Sequence, residues 1–133
     1  MFVKLHDLHF KPFISEDEIA TIIQDMVDAI VADLGDETPV FVGILNGSFM
    51  FVSDFVKRYP RPCEVTFIKL ASYEGVKSTE DIQRLIGLTQ DLTDRTVVIL
   101  EDIIDSGNTL GEVHRIFKNE NVKQLLYVFF CIL

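Results

Sequence analysis

From residue 97 to residue 109 the chain reads Val-Val-Ile-Leu-Glu-Asp-Ile-Ile-Asp-Ser-Gly-Asn-Thr. Apolar, β-favouring residues lead into two adjacent carboxylates, Glu101 and Asp102, and then into a short run holding Asp105, Ser106, Gly107, Asn108 and Thr109. Gly107 can take backbone angles that other residues resist, so the run can turn several N–H groups toward one anion. Ser106 and Thr109 add hydroxyl donors. The helical pattern that follows brings the positive end of its dipole to the same place. Together these make a cradle for a phosphate, of the kind α/β proteins use to hold phosphorylated sugars. Asp105 is out of place beside a phosphate unless its carboxylate turns elsewhere. Glu101 and Asp102 are strand neighbours and point to opposite faces, so both meet one ligand only where the strand twists or ends. There one or both can accept hydrogen bonds from sugar hydroxyls, or steady a magnesium ion through water.

The elements that must position these groups are legible in the pattern. Ser15 with Glu18 three residues later is a capping box, and Ile19, Ile22, Ile23, Met26, Val27 and Ile30 recur at helical spacing. Gly35 stops that pattern, which predicts a helix over Glu16 to Leu34. Val40 to Leu45 is nearly continuous apolar chain, as in a strand buried on both faces. Asn46-Gly47-Ser48 breaks it, and a helix follows to about Tyr59, with Phe49, Phe51 and Phe55 read as core. Strands are expected over Glu64 to Leu70, Ile82 to Leu88 (antiparallel to its predecessor), Thr96 to Leu100, and Gln124 to Leu133. Leu110, Val113, Ile116 and Phe117 give the helix between the last two its buried face. The polar stretch Ser72 to Glu80 is a mobile loop or hairpin tip. Strands alternating with helices imply an α/β fold: a mainly parallel twisted sheet flanked by helices.

The 97–109 run resembles the phosphoribosyl-pyrophosphate (PRPP) motif of the type I phosphoribosyltransferases, and within them the hypoxanthine-guanine phosphoribosyltransferase family. Two further segments resemble that family in the right order. Leu45-Asn46-Gly47-Ser48 is similar to its pyrophosphate loop, in which a cis peptide, here between Leu45 and Asn46, exposes backbone N–H groups. Ser72-Tyr73 and the chain to Glu80 are similar to its catalytic lid, which closes over pyrophosphate. The resemblance implies that Glu101 and Asp102 contact the ribose hydroxyls and hold Mg2+ indirectly. It also implies that Asp105 to Thr109 wrap the 5′-phosphate and that Ile103 packs on the purine ring. Asp105 is the implied general base or acid at the purine nitrogen. The implied reaction joins PRPP to hypoxanthine or guanine, giving the nucleoside monophosphate and pyrophosphate.

Members of that family continue past the position of Leu133 with a purine-reading lysine, a stacking aromatic and further magnesium and pyrophosphate contacts. Residues 1–133 therefore read as one phosphoribosyltransferase domain, incomplete at its C-terminus, with the purine half of the pocket unassigned. The residues that would rank hypoxanthine, guanine and xanthine belong to that half. A non-catalytic PRPP- or nucleotide-binding module, or a remnant with weak or no activity, stays open beside the enzyme.

Composition sets the outer bounds. A net charge of −9 disfavours nucleic acid as a partner. No uninterrupted apolar stretch is long enough to span a bilayer, and the charged start is unlike a signal peptide, so a cytoplasmic location is expected. Cys63 and Cys131 form no metal-site pattern and read as reduced residues of the core or strands. His6, His9 and His114 have no metal-ligand spacing. An uncovered sheet edge and apolar patch lead to the expectation of a homo-oligomer, a dimer or tetramer.

Overall fold

The computed structural model describes residues 1–70, 84–86, 88–104 and 107–132. It begins with a hairpin that the sequence pattern does not announce: β1 (Val3–Leu5) pairs antiparallel with β2 (Leu8–Phe10). Every strand residue of the hairpin is exposed, so the in–out alternation that marks a half-buried strand is missing. α1 (Glu16–Leu34) starts at the expected cap. The Ser15 hydroxyl accepts from the Glu18 N–H at 3.1 Å, and the Glu18 carboxylate accepts from the Ser15 N–H at 2.8 Å. Such a cap contributes ~1 kcal/mol. The last turn of α1 holds no basic residue. Arg61 takes that place, donating to the carbonyls of Val31 and Gly35.

β3 (Val40–Leu45) leads into α2 (Phe49–Arg58), then β4 (Glu64–Leu70) and the short β5 (Arg84–Ile86). β6 (Thr96–Ile104), α3 (Asn108–Lys118) and β7 (Gln124–Ile132) complete the order. The sheet runs β5-β4-β3-β6-β7. β4, β3, β6 and β7 are mutually parallel, and β5 is antiparallel to β4.

Two clusters of buried side chains fix which helix covers which face. Phe41, Val98 and Leu100 pack with α1 and α2 on one face, while Val42, Ile44, Val97 and Ile99 pack with Val113, Ile116 and Phe117 of α3 on the other. The Phe41 ring is fully buried and meets Phe55 and Tyr59 edge-on, with centroids 5.4 and 5.0 Å away. Burial of a ring of this size is worth ~2–3 kcal/mol.

Two expectations change. β6 does not stop at Leu100: its pairing with β7 continues through Glu101 opposite Phe129 and Ile103 opposite Cys131, so a parallel partner carries the strand through the acids. Phe49 is not core: Phe51 and Phe55 are buried, but Phe49 is 55% exposed. At the first position of α2 it lies on the solvent side of the helix that Phe51 and Phe55 anchor.

Candidate functional site

The fold singles out one crevice before any side chain is considered. From β3 the chain moves to β4 on one side and later returns to β6 on the other, so the strand order reverses between β3 and β6. The loop after β3 rises to α2 on one face, and the loop after β6 rises to α3 on the opposite face. Open α/β sheets bind ligands at such a switch point, beyond the carboxyl ends of the strands. Both sequence segments with phosphate-binding character are these two loops.

On the α2 side, the Leu45–Asn46 peptide bond is cis. Leu45 is half-buried, Asn46 and Gly47 are exposed, and Ser48 is fully buried. Ser48 holds the loop closed: its hydroxyl donates to the Ile44 carbonyl at 2.6 Å and its N–H donates to the same oxygen at 3.3 Å. Its own carbonyl accepts from the Val52 N–H at 2.8 Å, tying the loop to the first turn of α2. Gly47 has no room to be anything else without a shift, because a Cβ there would lie 3.3 Å from both carboxylate oxygens of Asp102. The pyrophosphate-loop candidate and one of the two strand acids are thus in direct contact.

On the α3 side, Gly107 is the N-cap of α3 with φ 77°, a left-handed conformation that favours glycine. Its carbonyl accepts from the Gly111 N–H at 3.0 Å. Asn108 and Thr109 are exposed in the first turn of the helix, at the positive end of its dipole. Below them lies a cavity of about 190 Å³, lined among others by Glu101, Ile103, Gly107 and Thr109 over an apolar floor of Ile44 and Ile99. Its size suits the phosphorylated end of a sugar rather than a whole nucleotide.

The adjacent carboxylates therefore serve different sides. Asp102 continues the Val98–Leu100 face toward α2, and Glu101 continues the Val97–Ile99 face toward α3. Each accepts a hydrogen bond from the next backbone N–H, Glu101 from Asp102 at 3.1 Å and Asp102 from Ile103 at 2.9 Å. Desolvation above all, then hydrogen bonding with and repulsion by Asp102, pushes the Glu101 carboxyl from 4.5 up to about 8. In the ligand-free chain Glu101 keeps its proton at neutral pH. No group of three His, Cys, Asp or Glu converges as a metal site among the described residues. The donor set fits magnesium only in its usual mode, with one or two carboxylates, water and substrate phosphates.

The structure brings Glu101, Ile103, Gly107 and Thr109 together in one cavity, and sets Gly47 of the loop 45–48 against Asp102. Asp105, Ser106, Ser72 and Tyr73 lie outside the described residues. Two positions carried no sequence signal. Lys69 faces Leu45 in the β3–β4 register, and Gly43 is forced by close packing, since a Cβ there would lie 2.8 Å from both Phe67 and Val52.

A mainly parallel sheet covered by helices on both faces, with the loops after β3 and β6 at its switch point, defines a doubly wound α/β protein. Residues 14–131 match the phosphoribosyl transferase domain, and the chain belongs to that family. It is 34% identical over 113 residues to the hypoxanthine-guanine phosphoribosyltransferase of Staphylococcus epidermidis, covering 84% of this chain and 63% of that protein. It is 44% identical over 94 residues to the hypoxanthine phosphoribosyltransferase of Salmonella typhimurium, covering 70% of this chain and 52% of that protein. The chain thus spans between about half and just under two thirds of the length of these relatives. The crystal structure of a hypoxanthine-guanine phosphoribosyltransferase from Bacillus anthracis superposes with a TM-score of 0.83 at 27% identity, over 90% of this chain and 72% of that one. That of a hypoxanthine phosphoribosyltransferase from Staphylococcus aureus gives 0.81 at 30% identity, over 90% and 65%. No helix among the described residues is long and apolar enough to cross a membrane.

Proposed function

We propose that this chain carries out purine salvage, transferring the phosphoribosyl group of PRPP to hypoxanthine or guanine to give IMP or GMP and pyrophosphate. The observation that carries the reading is the division of labour at the switch point. Asp102 lies against the exposed loop of Asn46 and Gly47, while Glu101 opens into the cavity beneath the start of α3. PRPP is negatively charged at both ends with a neutral sugar between, and the two loops with the acids between them match that layout. In this reading the 5′-phosphate rests on Gly107, Asn108 and Thr109, together with Asp105 and Ser106. The pyrophosphate rests on the main chain of Asn46 and Gly47, with Leu45 and Ser48 framing the loop. The sugar hydroxyls meet Glu101 and Asp102. A protonated Glu101 suits a cavity that takes a phosphate, because it adds no repulsion and can donate a hydrogen bond.

The bond from the sugar's anomeric carbon to the pyrophosphate oxygen breaks, and the oxygen keeps the electron pair. The purine nitrogen forms the new bond and gives up its proton, with Asp105 as the acceptor. The sugar carbon is cationic between these events, and the Asp102 carboxylate near the ribose stabilises that charge. Mg2+, when bound, neutralises charge on the leaving pyrophosphate. Ile103 packs on the purine, and the segment of Ser72 and Tyr73 covers the site. Cytoplasmic location and assembly into a homo-oligomer accompany this role.

The test is release of pyrophosphate from PRPP and Mg2+ with hypoxanthine, guanine or xanthine, beside calorimetric titration with PRPP. Turnover with a purine supports the transferase. Saturable PRPP binding without turnover identifies a non-catalytic PRPP-binding module, and no binding at all defeats both. Asp105→Asn is expected to lower turnover much more than PRPP affinity, and equal losses would move Asp105 from proton transfer to binding.

A further inference from the structure

The loop 45–48 carries no charge of its own, yet its exposed main chain lies beside the Asp102 carboxylate. A polyanion settling there meets repulsion from Asp102 unless a cation balances it. Most cations near the sheet are engaged elsewhere. Lys57 and Arg58, at the far end of α2, pair with Asp54. Arg95 pairs with Glu64 and Lys123 with Glu37, both at the opposite ends of the strands. Arg115 pairs with Glu112.

Lys69 stands apart. It is the penultimate residue of β4 and lies directly opposite Leu45 in the parallel register. Residues two apart on a strand share a face, so Phe67 and Lys69 lie on the face of Gly43 and Leu45. That face is the α2 face, because a Cβ at Gly43 would touch both Phe67 and Val52 of α2. Asp102 is on the same face of β6, the neighbour of β3 on its other side. Lys69, the loop and Asp102 thus form a row across three adjacent strands spaced ~4.8 Å apart. Lys69 is half-buried and makes no hydrogen bond or ion pair with any described residue. The β4–β5 register also shifts between Lys69 and Leu70, so the ladder is irregular where this lysine sits.

We propose that Lys69 is the cationic contact for pyrophosphate at this site, reaching from β4 to the uncharged loop 45–48. The inference rests on the PRPP reading above. Its ammonium offsets Asp102 and adds a point charge to the main-chain donors of Asn46 and Gly47. Ribose 5-phosphate, whose phosphate belongs to the α3 side, is the internal control, since it lacks the group Lys69 would hold.

The experiment is calorimetric titration of the full chain with magnesium pyrophosphate and, separately, with ribose 5-phosphate. Lys69→Met keeps most of the aliphatic stem and removes the charge. It is expected to weaken pyrophosphate about tenfold or more, to flatten the salt dependence of that binding, and to leave ribose 5-phosphate within about twofold. Lys69→Arg should retain most of the affinity. Asn46→Lys added to Lys69→Met should recover it, because the charge returns to the other side of the same contact. Unchanged pyrophosphate affinity in Lys69→Met, equal weakening of both ligands, or no recovery with Asn46→Lys would each overturn the inference. Wild-type chain that binds ribose 5-phosphate but not pyrophosphate overturns it as well. Wild-type chain that binds neither overturns the PRPP reading itself.

Discussion

Gly43→Ala tests the packing that sets the height of the loop 45–48. A methyl group at Gly43 would lie 2.8 Å from Val52 Cγ2 and 2.8 Å from two ring carbons of Phe67. Carbon atoms in contact prefer ~3.5–4.0 Å, so both neighbours must retreat by ~0.7 Å or more. The two are not equally able to move. Phe67 is half-buried and can swing, whereas Val52 is 2% exposed and is locked in the first turns of α2. Inserting a carbon into such a contact costs ~1–3 kcal/mol. Replacing a strand glycine returns ~0.5–1 kcal/mol through the unfolded chain, leaving a net loss of ~1–2 kcal/mol. For a chain of this length that lowers the melting temperature by ~4–8 °C. Because the Val52 N–H bonds the Ser48 carbonyl at 2.8 Å, a displaced α2 also drags the loop, and pyrophosphate affinity should fall with stability. The assay is chemical unfolding of Gly43→Ala, Val52→Ala and the double variant. Removing the Val52 methyl groups makes room for the new one, so the double variant should be less destabilised than the sum by ~1 kcal/mol. Strict additivity, or a neutral Gly43→Ala, would refute the argument that Val52 is what keeps this position glycine.

Two further outcomes follow from the α3 side. The Glu101 carboxyl is raised from 4.5 to about 8, so the folded chain holds this proton more tightly than the unfolded one. Its stabilising effect is complete below about 4.5, declines as pH rises toward about 8, and is gone above it. In metal-free buffer Glu101→Gln should therefore match wild type at pH 4 and exceed it above pH ~8. The gain is ~1–2 kcal/mol, well below the full linkage value because the cavity is open to solvent. Denaturant titrations that stay parallel across pH would contradict the protonated Glu101. At Gly107 the obstacle to substitution is conformation rather than space, since φ is 77° and, among the described residues, nothing lies within 4 Å of a Cβ there. Gly107→Val should abolish PRPP affinity while Gly107→Asn, which tolerates left-handed backbone, retains much of it, and equal loss in calorimetry would point to crowding by the ligand instead.

What the sequence reveals and what it hides divide along local and non-local lines. The capping box of Ser15 and Glu18 and the apolar stripe behind it are local, and α1 starts and stops where they say. The double-sided burial of β3 is legible because an unbroken apolar run suits no other place in a parallel sheet. The extension of β6 to Ile104 depends on β7, whose paired residues come 28 positions later, and two adjacent acids disguise it. Lys69 was invisible for the same reason: a lysine near a strand end reads as ordinary surface until the register sets it opposite Leu45. Gly43 looks like one more small residue in an apolar run until α2 is laid over it.

The Glu101–Asp102 pair shows how little is needed to give a strand end two different sides. A period of two guarantees that neighbouring side chains part, and that much is readable from the pair alone. It becomes useful only because the topology reverses there, so that the two faces of β6 lead to two different loops, one running into α2 and one into α3. The α3 side also changes the chemistry of its acid: desolvation over the Ile44 and Ile99 floor, more than repulsion by Asp102, raises the Glu101 carboxyl. Reversing the pair, Glu101→Asp with Asp102→Glu, would preserve composition and net charge. It would, however, bring a longer carboxylate against Gly47, where even an added Cβ would lie only 3.3 Å from the Asp102 oxygens. The swap should therefore cost pyrophosphate affinity more than ribose 5-phosphate affinity, an asymmetry that composition alone does not produce.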